Sequence, residues 1–150
     1  MKKILSIFFI LFMIATLSAC NTNAVKMEDY EWKMRTVMSN DIENAQDSDK
    51  LVVAVGEADE LYPEAEIIDL TLVAQDGKIT ITDSTNDKEY IGTYKETNKT
   101  PNGTDYEITI DGTVGYATVA LTKYYNDDPE IPTLPINIGG YSIYFIPAEN

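Results

Sequence analysis

Three pairs of turn residues constrain the fold of this chain more than any other feature. Asp76-Gly77, Asp111-Gly112 and Gly139-Gly140 each separate two segments of alternating apolar and polar residues. These dipeptides favour two-residue hairpin turns, because both positions accept a positive φ angle. Folding the chain at each pair brings apolar residues together on one face, so the register agrees with the turn position. The sequence therefore predicts a run of antiparallel hairpins.

The expected register is specific at each turn. Folding at Asp76-Gly77 pairs Ala74 with Ile79 and Leu72 with Ile81. The other two turns also gather apolar residues on one face: Tyr106, Ile108, Ile110, Gly115, Ala117, Val119 and Leu121 at the second turn, and Leu134, Ile136, Ile138, Tyr141, Ile143 and Phe145 at the third. One buried face per hairpin is typical of a strand packed on a core.

Further strands are expected before and between these hairpins. Residues 30–38 alternate, and the face expected to be buried consists of Tyr30, Trp32, Met34, Thr36 and Met38. Short strands are also predicted over 51–55 and 89–95. The total is eight or nine strands, and no long helix is expected after the first twenty residues.

A meander of this length must hide the edges of its sheet. Closure into an up-and-down β-barrel does so economically, and Gly92 and Gly115 inside strands permit the sharp coiling that closure requires. The prediction is therefore an all-β chain with a small antiparallel barrel. A flattened β-sandwich is the alternative.

An early strand that carries a tryptophan, followed by a run of hairpins, resembles the lipocalin-like (calycin) β-barrels. The resemblance spans residues 30–146 and rests on this order of elements. The chain departs from the family pattern because Glu31 precedes Trp32 with no Gly-x-Trp motif, and because no C-terminal helix is expected. The resemblance implies a fold, and a fold does not by itself define a function.

The first twenty residues have the order of a secretory signal peptide. Lys2 and Lys3 precede an uncharged apolar run of sixteen residues that ends at Ala19, and Cys20 is the only cysteine. The segment Leu17-Ser18-Ala19-Cys20 resembles the lipobox of bacterial lipoproteins, in which the cysteine sulfur takes a diacylglycerol and the peptide is cut just before it. A plain signal peptide is one alternative. A retained transmembrane helix is the other, and the apolar run is shorter than the ~20 residues that it needs.

This resemblance implies a division of the chain and a location. The expected segments are a signal peptide over 1–19, a lipid-anchored Cys20 with a polar tether to residue 29, and a β domain over 30–150. Two or three acyl chains, palmitate among them, hold a protein stably at a membrane. We therefore expect a protein on the extracytoplasmic face of the cell membrane.

The composition of the mature chain disfavours several classes of function. Nine Lys and Arg oppose 25 Asp and Glu after residue 19, so the net charge is −16, and histidine is absent. So acidic a surface repels nucleic acid. Without histidine the commonest general base and metal ligand is missing. An acylated Cys20 leaves no thiol for disulfides or catalysis, and we expect a non-enzymatic protein with no cofactor.

The tyrosines are the first candidate binding residues. Eight-stranded barrels are just wide enough to fill with side chains or to hold one small ligand. Aromatic residues on strands are predicted to line such an interior and to bind an apolar or amphipathic ligand: Tyr90, Tyr94, Tyr106, Tyr116 and Trp32. The alternative is a solid barrel that these rings fill.

A long acidic loop is the second candidate. Residues 124–132 contain two aromatic residues, two prolines and four acids or amides, and the residues predicted to bind a protein partner are Tyr124, Tyr125, Asp127 and Asp128. This loop supports an alternative function, in which a filled barrel acts as an interaction, inhibitor or immunity protein on a basic partner. The oxygen-rich segments 83–89 and 126–130 lack the EF-hand pattern, and no metal site is predicted.

Overall fold

The computed structural model describes residues 24–40, 51–123 and 129–149. A 3₁₀ turn, Met27–Asp29, precedes ten strands. In chain order the strands are β1 (Trp32–Ser39), β2 (Val52–Val55), β3 (Glu66–Ile67), β4 (Leu70–Gln75), β5 (Lys78–Asp83), β6 (Lys88–Thr100), β7 (Gly103–Ile110), β8 (Thr113–Thr122), β9 (Ile131–Ile138) and β10 (Tyr141–Pro147).

Eight of these strands close into an antiparallel barrel. Strands β4 to β10 form a meander, and β1 pairs with β4 on one side and with β10 on the other. The predicted all-β barrel is confirmed, and closure excludes the sandwich. The architecture is compatible with the lipocalin-like resemblance. Two further strands extend the sheet, since β2 pairs with β1 and the short β3 lies parallel to β2.

The three hairpin turns have the predicted geometry. Both residues of each turn have positive φ angles, for example 49° at Asp111 and 78° at Gly112. The register also follows the prediction, because Leu72 pairs with Ile81 and Ile143 pairs with Ile136. Local turn chemistry therefore sets the strand alignment over most of the barrel.

The first strand departs from the predicted alternation. Trp32 and Met34 face the core, but the pairing with β10 shifts by one residue between Met34 and Thr36. Such a bulge reverses the face on which the following side chains lie. Val37 therefore packs against the core, and the prediction that Thr36 and Met38 continue the buried face is wrong.

Two inward glycines allow neighbouring strands to approach closely. A Cβ atom at Gly115 would lie 2.6 Å from the backbone oxygen of Asn137 and 2.8 Å from the Cβ atom of Ile138. At Gly92 a Cβ atom would collide with the backbone of Thr109. The coiling expected at these two positions therefore depends on the missing side chain.

The barrel has two distinct ends. We call the base the end that contains the turn at Asp76-Gly77 and the turn at 101–102, where residues 24–30 also pack. We call the mouth the end that contains the turns at 84–87, Asp111-Gly112 and Gly139-Gly140. The fully buried apolar side chains lie toward the base and centre: Met27, Trp32, Leu72, Ile79, Ile108, Val119, Leu134, Ile136 and Phe145.

Candidate functional site

Residues 24–30 close the base of the barrel, and we call them the plug. Met27 is fully buried among core side chains. Its carbonyl accepts a hydrogen bond of 2.8 Å from the indole nitrogen of Trp32, and its amide donates to the Tyr106 hydroxyl at 3.3 Å. The Thr104 hydroxyl donates to the carbonyl oxygen of Val25 at 3.1 Å. The expected tether to residue 29 is thus corrected, because residues 24–29 belong to the folded domain.

Two tyrosines extend this closed end. The rings of Tyr94 and Tyr106 meet edge to face with centroids 5.7 Å apart. The Tyr94 hydroxyl donates to the Glu28 carboxylate of the plug. Burial and this hydrogen bond raise the pKa of Tyr94 to about 12, and burial also raises the pKa of Tyr106. The hydroxyls of Tyr94 and Tyr106 therefore both form hydrogen bonds to the plug.

The mouth contains a pocket of about 600 Å³ that is open to solvent. Its walls are mainly aliphatic, with Val37, Leu70, Ile81, Ile110, Ile138 and Ile143 among them. Val37, Leu70, Ile138 and Ile143 are only partly buried although they pack on the core. A cavity of this size with apolar walls is typical of small-molecule sites.

The first strand explains why the mouth is wide. Strand β1 pairs with β4 only at Trp32 and Lys33, and beyond its bulge it pairs with β2 instead. The mouth ends of β1 and β4 are therefore separated, and β2 lies where β4 would otherwise continue. Val53 and Ala54 of β2 contribute to the pocket wall.

Polar groups of the pocket lie among these aliphatic walls. Tyr90 lines the pocket, and its hydroxyl has no hydrogen-bond partner within the described part of the chain. Three acidic residues also line the pocket, namely Glu66, Asp83 and Asp111. The pocket thus combines a large apolar surface with a few polar groups that can orient a ligand.

Asp83 is the buried acid of this set, with 5% of its surface exposed. Burial by itself raises the pKa of Asp83, but hydrogen bonds outweigh it. The backbone and side-chain nitrogens of Asn86 donate to its two oxygens at 3.0 and 2.9 Å. Together with the Thr85 backbone and the charge of Lys88, these bonds hold the pKa of Asp83 below its usual value. The carboxylate is therefore fixed and charged.

The predicted aromatic residues divide between several places. Tyr90 lies in the pocket, whereas Trp32, Tyr94 and Tyr106 lie at the base around the plug. Tyr116 is 63% exposed on the outer wall, so the expectation that it lines the interior is corrected. Its side chain alternates outward between the inward residues Gly115 and Ala117.

Sequence reasoning emphasised aromatic residues and missed the aliphatic ones that form most of the pocket. The available signal was position, because these residues end the apolar stripes at the turns of the mouth. The predicted partner-binding residues Tyr124, Tyr125, Asp127 and Asp128 lie outside the described residues.

Within 24–40, 51–123 and 129–149 no three histidine, cysteine or acidic side chains gather in a way that could hold a metal ion. No helix in this part of the chain is long and apolar enough to span a membrane.

Comparison of the chain with protein-family models, with curated proteins and with solved structures gives no match.

Proposed function

We propose that this chain is a non-enzymatic surface lipoprotein whose barrel binds a small apolar or amphipathic ligand in the mouth pocket. The observation that carries the proposal is the contrast between partly exposed aliphatic walls at the mouth and a solid core behind them. A ligand that covers these walls removes apolar surface from water, which contributes about 25 cal/mol per Å².

Two features of the pocket favour an amphipathic ligand over a purely apolar one. The Tyr90 hydroxyl has no hydrogen-bond partner among the described residues, so it can form a hydrogen bond with a polar group of a ligand. The pocket is also open, so the polar end of a bound molecule can stay in water while its apolar part contacts the wall. The proposal assigns the pocket a binding role and no chemical step.

The position of the plug supports a defined orientation of the anchored protein. In the proposal Cys20 carries the lipid, and Ala24 is already buried in the barrel. Four residues span at most roughly 14 Å, so the anchor holds the base close to the membrane surface. The mouth then faces away from the membrane and is accessible to molecules outside the cell.

Fluorescence titration with the neutral apolar dye N-phenyl-1-naphthylamine tests ligand binding. We expect saturable binding of one dye by the mature chain, residues 20–150, prepared with Cys20→Ser. Leu70→Trp fills the pocket and should weaken binding at least tenfold. Val73→Trp is the matched control, because Val73 lies on the same strand with its side chain 48% exposed on the outer wall.

The outcomes of this titration distinguish the two predicted functions. Equal binding by both tryptophan variants would place the dye outside the mouth and contradict the proposal. A complete lack of binding would favour the alternative of an interaction or inhibitor lipoprotein that acts on a basic protein. Native mass spectrometry of protein purified from its own source would then identify a retained small molecule or a bare chain.

Metabolic labelling with an alkyne analogue of palmitate tests the anchor separately. We expect the full chain to be labelled and to sediment with membranes, and Cys20→Ser to lose both properties. Ser18→Ala keeps the cysteine and serves as the control. Unlabelled wild-type protein in the soluble fraction would contradict the lipoprotein assignment and leave the pocket proposal standing.

A further inference from the structure

The charged groups that line the mouth pocket are all of one sign. Glu66, Asp83 and Asp111 line it, and no lysine or arginine is among the described residues that do so. They come from separate parts of the chain, which are β3, the end of β5 and the turn between β7 and β8. The wall between them is mainly aliphatic.

Asp83 is the acid whose placement is best defined. It lies on the inward face of β5, in register with Leu70, and continues the stripe of Ile79 and Ile81. The two bonds from Asn86 and the bond from the Thr85 backbone fix its carboxylate and leave about one of its roughly four acceptor sites for a ligand. Burying a carboxylate at the end of an apolar stripe removes part of its hydration. A cationic group of a ligand beside it would compensate for that loss.

Lys88 acts on Asp83 from outside the pocket wall and does not place a positive charge in the pocket. Lys88 pairs with Asp83 across the β5–β6 ladder, but its side chain is exposed and does not line the cavity. The two salt bridges among the described residues lie outside the pocket lining. Lys33 pairs with Glu57 at 2.7 Å, and Arg35 pairs with Asp59 at 3.6 Å. A ligand in the pocket therefore meets a negative field.

We infer that the ligand is a cationic amphiphile, an apolar chain or ring that carries an ammonium group. This inference rests on the proposed binding function and specifies its ligand class. The apolar part packs against the aliphatic wall, and the ammonium lies beside one of the carboxylates that line it, Glu66, Asp83 or Asp111, which do not converge on a single point. The net charge of −16 after residue 19 draws cations toward the domain and repels anionic amphiphiles such as fatty acids.

Competition against the neutral dye N-phenyl-1-naphthylamine tests this inference with three competitors that share a twelve-carbon chain. Dodecylamine is cationic at pH 7, 1-dodecanol is neutral and dodecanoate is anionic. Each is used with the mature chain below its self-association concentration. We expect dodecylamine to displace the dye at concentrations about tenfold lower than dodecanol, and dodecanoate to be the weakest. Added salt should narrow these differences.

Charge-removing variants locate the effect. Glu66→Gln with Asp111→Asn removes two charges at the mouth, and asparagine tolerates the positive φ angle of 49° at position 111. Glu31→Gln with Asp76→Asn removes two charges at the base, and Asp76 occupies the equivalent turn position with a φ angle of 51°. The first pair should reduce the preference for dodecylamine over dodecanol about threefold or more, and the second should leave it unchanged.

Asp83→Asn gives a third comparison, with the dye as the check on folding. A variant that binds the dye normally but loses the amine preference supports the inference. If wild-type protein binds the dye and all three competitors equally, the cationic class is wrong while the binding function stands. If neither the dye nor any competitor binds, both the inference and the proposed function fail. If the mouth variant and the base variant lose the preference for dodecylamine equally, the preference comes from the net charge of the whole domain and not from the pocket. That result would also overturn the inference.

Discussion

The base and the mouth of this barrel are built from the same strands, yet inward-facing residues are buried to different degrees at the two ends. Ile136 and Ile138 lie two residues apart on the inward face of β9. Ile136 is fully buried, whereas Ile138 is only partly buried and borders the pocket. The difference shows that an apolar stripe along a strand does not by itself define how much of that stripe is core.

The burial of each part of an apolar stripe depends on what covers it. At the base, the plug places Met27 over the core and exchanges hydrogen bonds with Trp32, Tyr106 and Thr104. At the mouth, the bulge in β1 separates this strand from β4 and leaves the aliphatic ends of the stripes facing a cavity. The base therefore provides most of the packing, and the mouth keeps apolar surface available for a ligand.

The largest effect is expected from Trp32→Ala. The indole is fully buried and bonds the plug, so its removal should cost about 3–5 kcal/mol of unfolding free energy. Guanidinium unfolding followed by circular dichroism measures the loss. Tyr116→Ala on the exposed outer wall is the control and should change stability by about 0.5 kcal/mol or less. A small loss for Trp32→Ala would mean that the base is not the main source of stability.

The two isoleucines of β9 give a matched comparison of the two ends. Ile136→Ala should cost about 2–5 kcal/mol, because it leaves a cavity in the solid core. Ile138→Ala should cost about 1 kcal/mol, because part of that side chain is already exposed. The same denaturation measurement applies to both. Equal costs would contradict the claim that the mouth is open.

Attachment of the plug is tested by Thr104→Val. This change keeps the shape of a fully buried side chain and removes its hydrogen bond to the carbonyl of Val25. We expect a loss of about 1 kcal/mol. Thr93→Val, on the exposed face of β6, controls for the change of side chain. Faster hydrogen exchange of amides in the plug, without a change at the mouth, would show that the lost stability comes from weaker attachment of the plug.

The contact between Tyr94 and the plug also makes stability depend on pH in the alkaline range. The pKa of Tyr94 in the folded protein is about 12, above the value of about 10 expected in the unfolded chain. A raised pKa contributes stability below pH 10, and this contribution is lost as pH rises toward 12. Carbon-13 NMR of ring-labelled tyrosine should show one late-titrating signal that Tyr94→Phe removes. Titration of that signal near pH 10 would contradict the burial of Tyr94 against the plug.

Most of the barrel was predictable from the sequence because its information is local. The dipeptides Asp76-Gly77, Asp111-Gly112 and Gly139-Gly140 set turn conformations, and each turn sets a register. The bulge in β1 carries no such local signal, since it depends on how that strand joins both β4 and β10. The parallel pairing of β3 with β2 is likewise a consequence of tertiary packing.

The candidate site was less predictable for a related reason. Tyr90 lies in the pocket as predicted from its aromatic character, but Trp32 and Tyr106 have the same character and lie at the base. Their places depend on the plug, whose residues 24–29 look like a polar tether when only composition is considered. The aliphatic wall was visible as stripes, and nothing in the sequence marked which end of each stripe stays uncovered.

Methyl NMR of the mature chain during titration with N-phenyl-1-naphthylamine tests directly whether a ligand binds at the open mouth and not in the solid core. We expect the methyl signals at the mouth to shift together with one affinity, those of Val37, Leu70, Ile81, Ile138 and Ile143. The methyl signals of Leu72, Ile79 and Leu134 in the solid core should remain in place. Shifts centred on the core or on the outer residues Ile91 and Val114, with the mouth unchanged, would contradict this expectation.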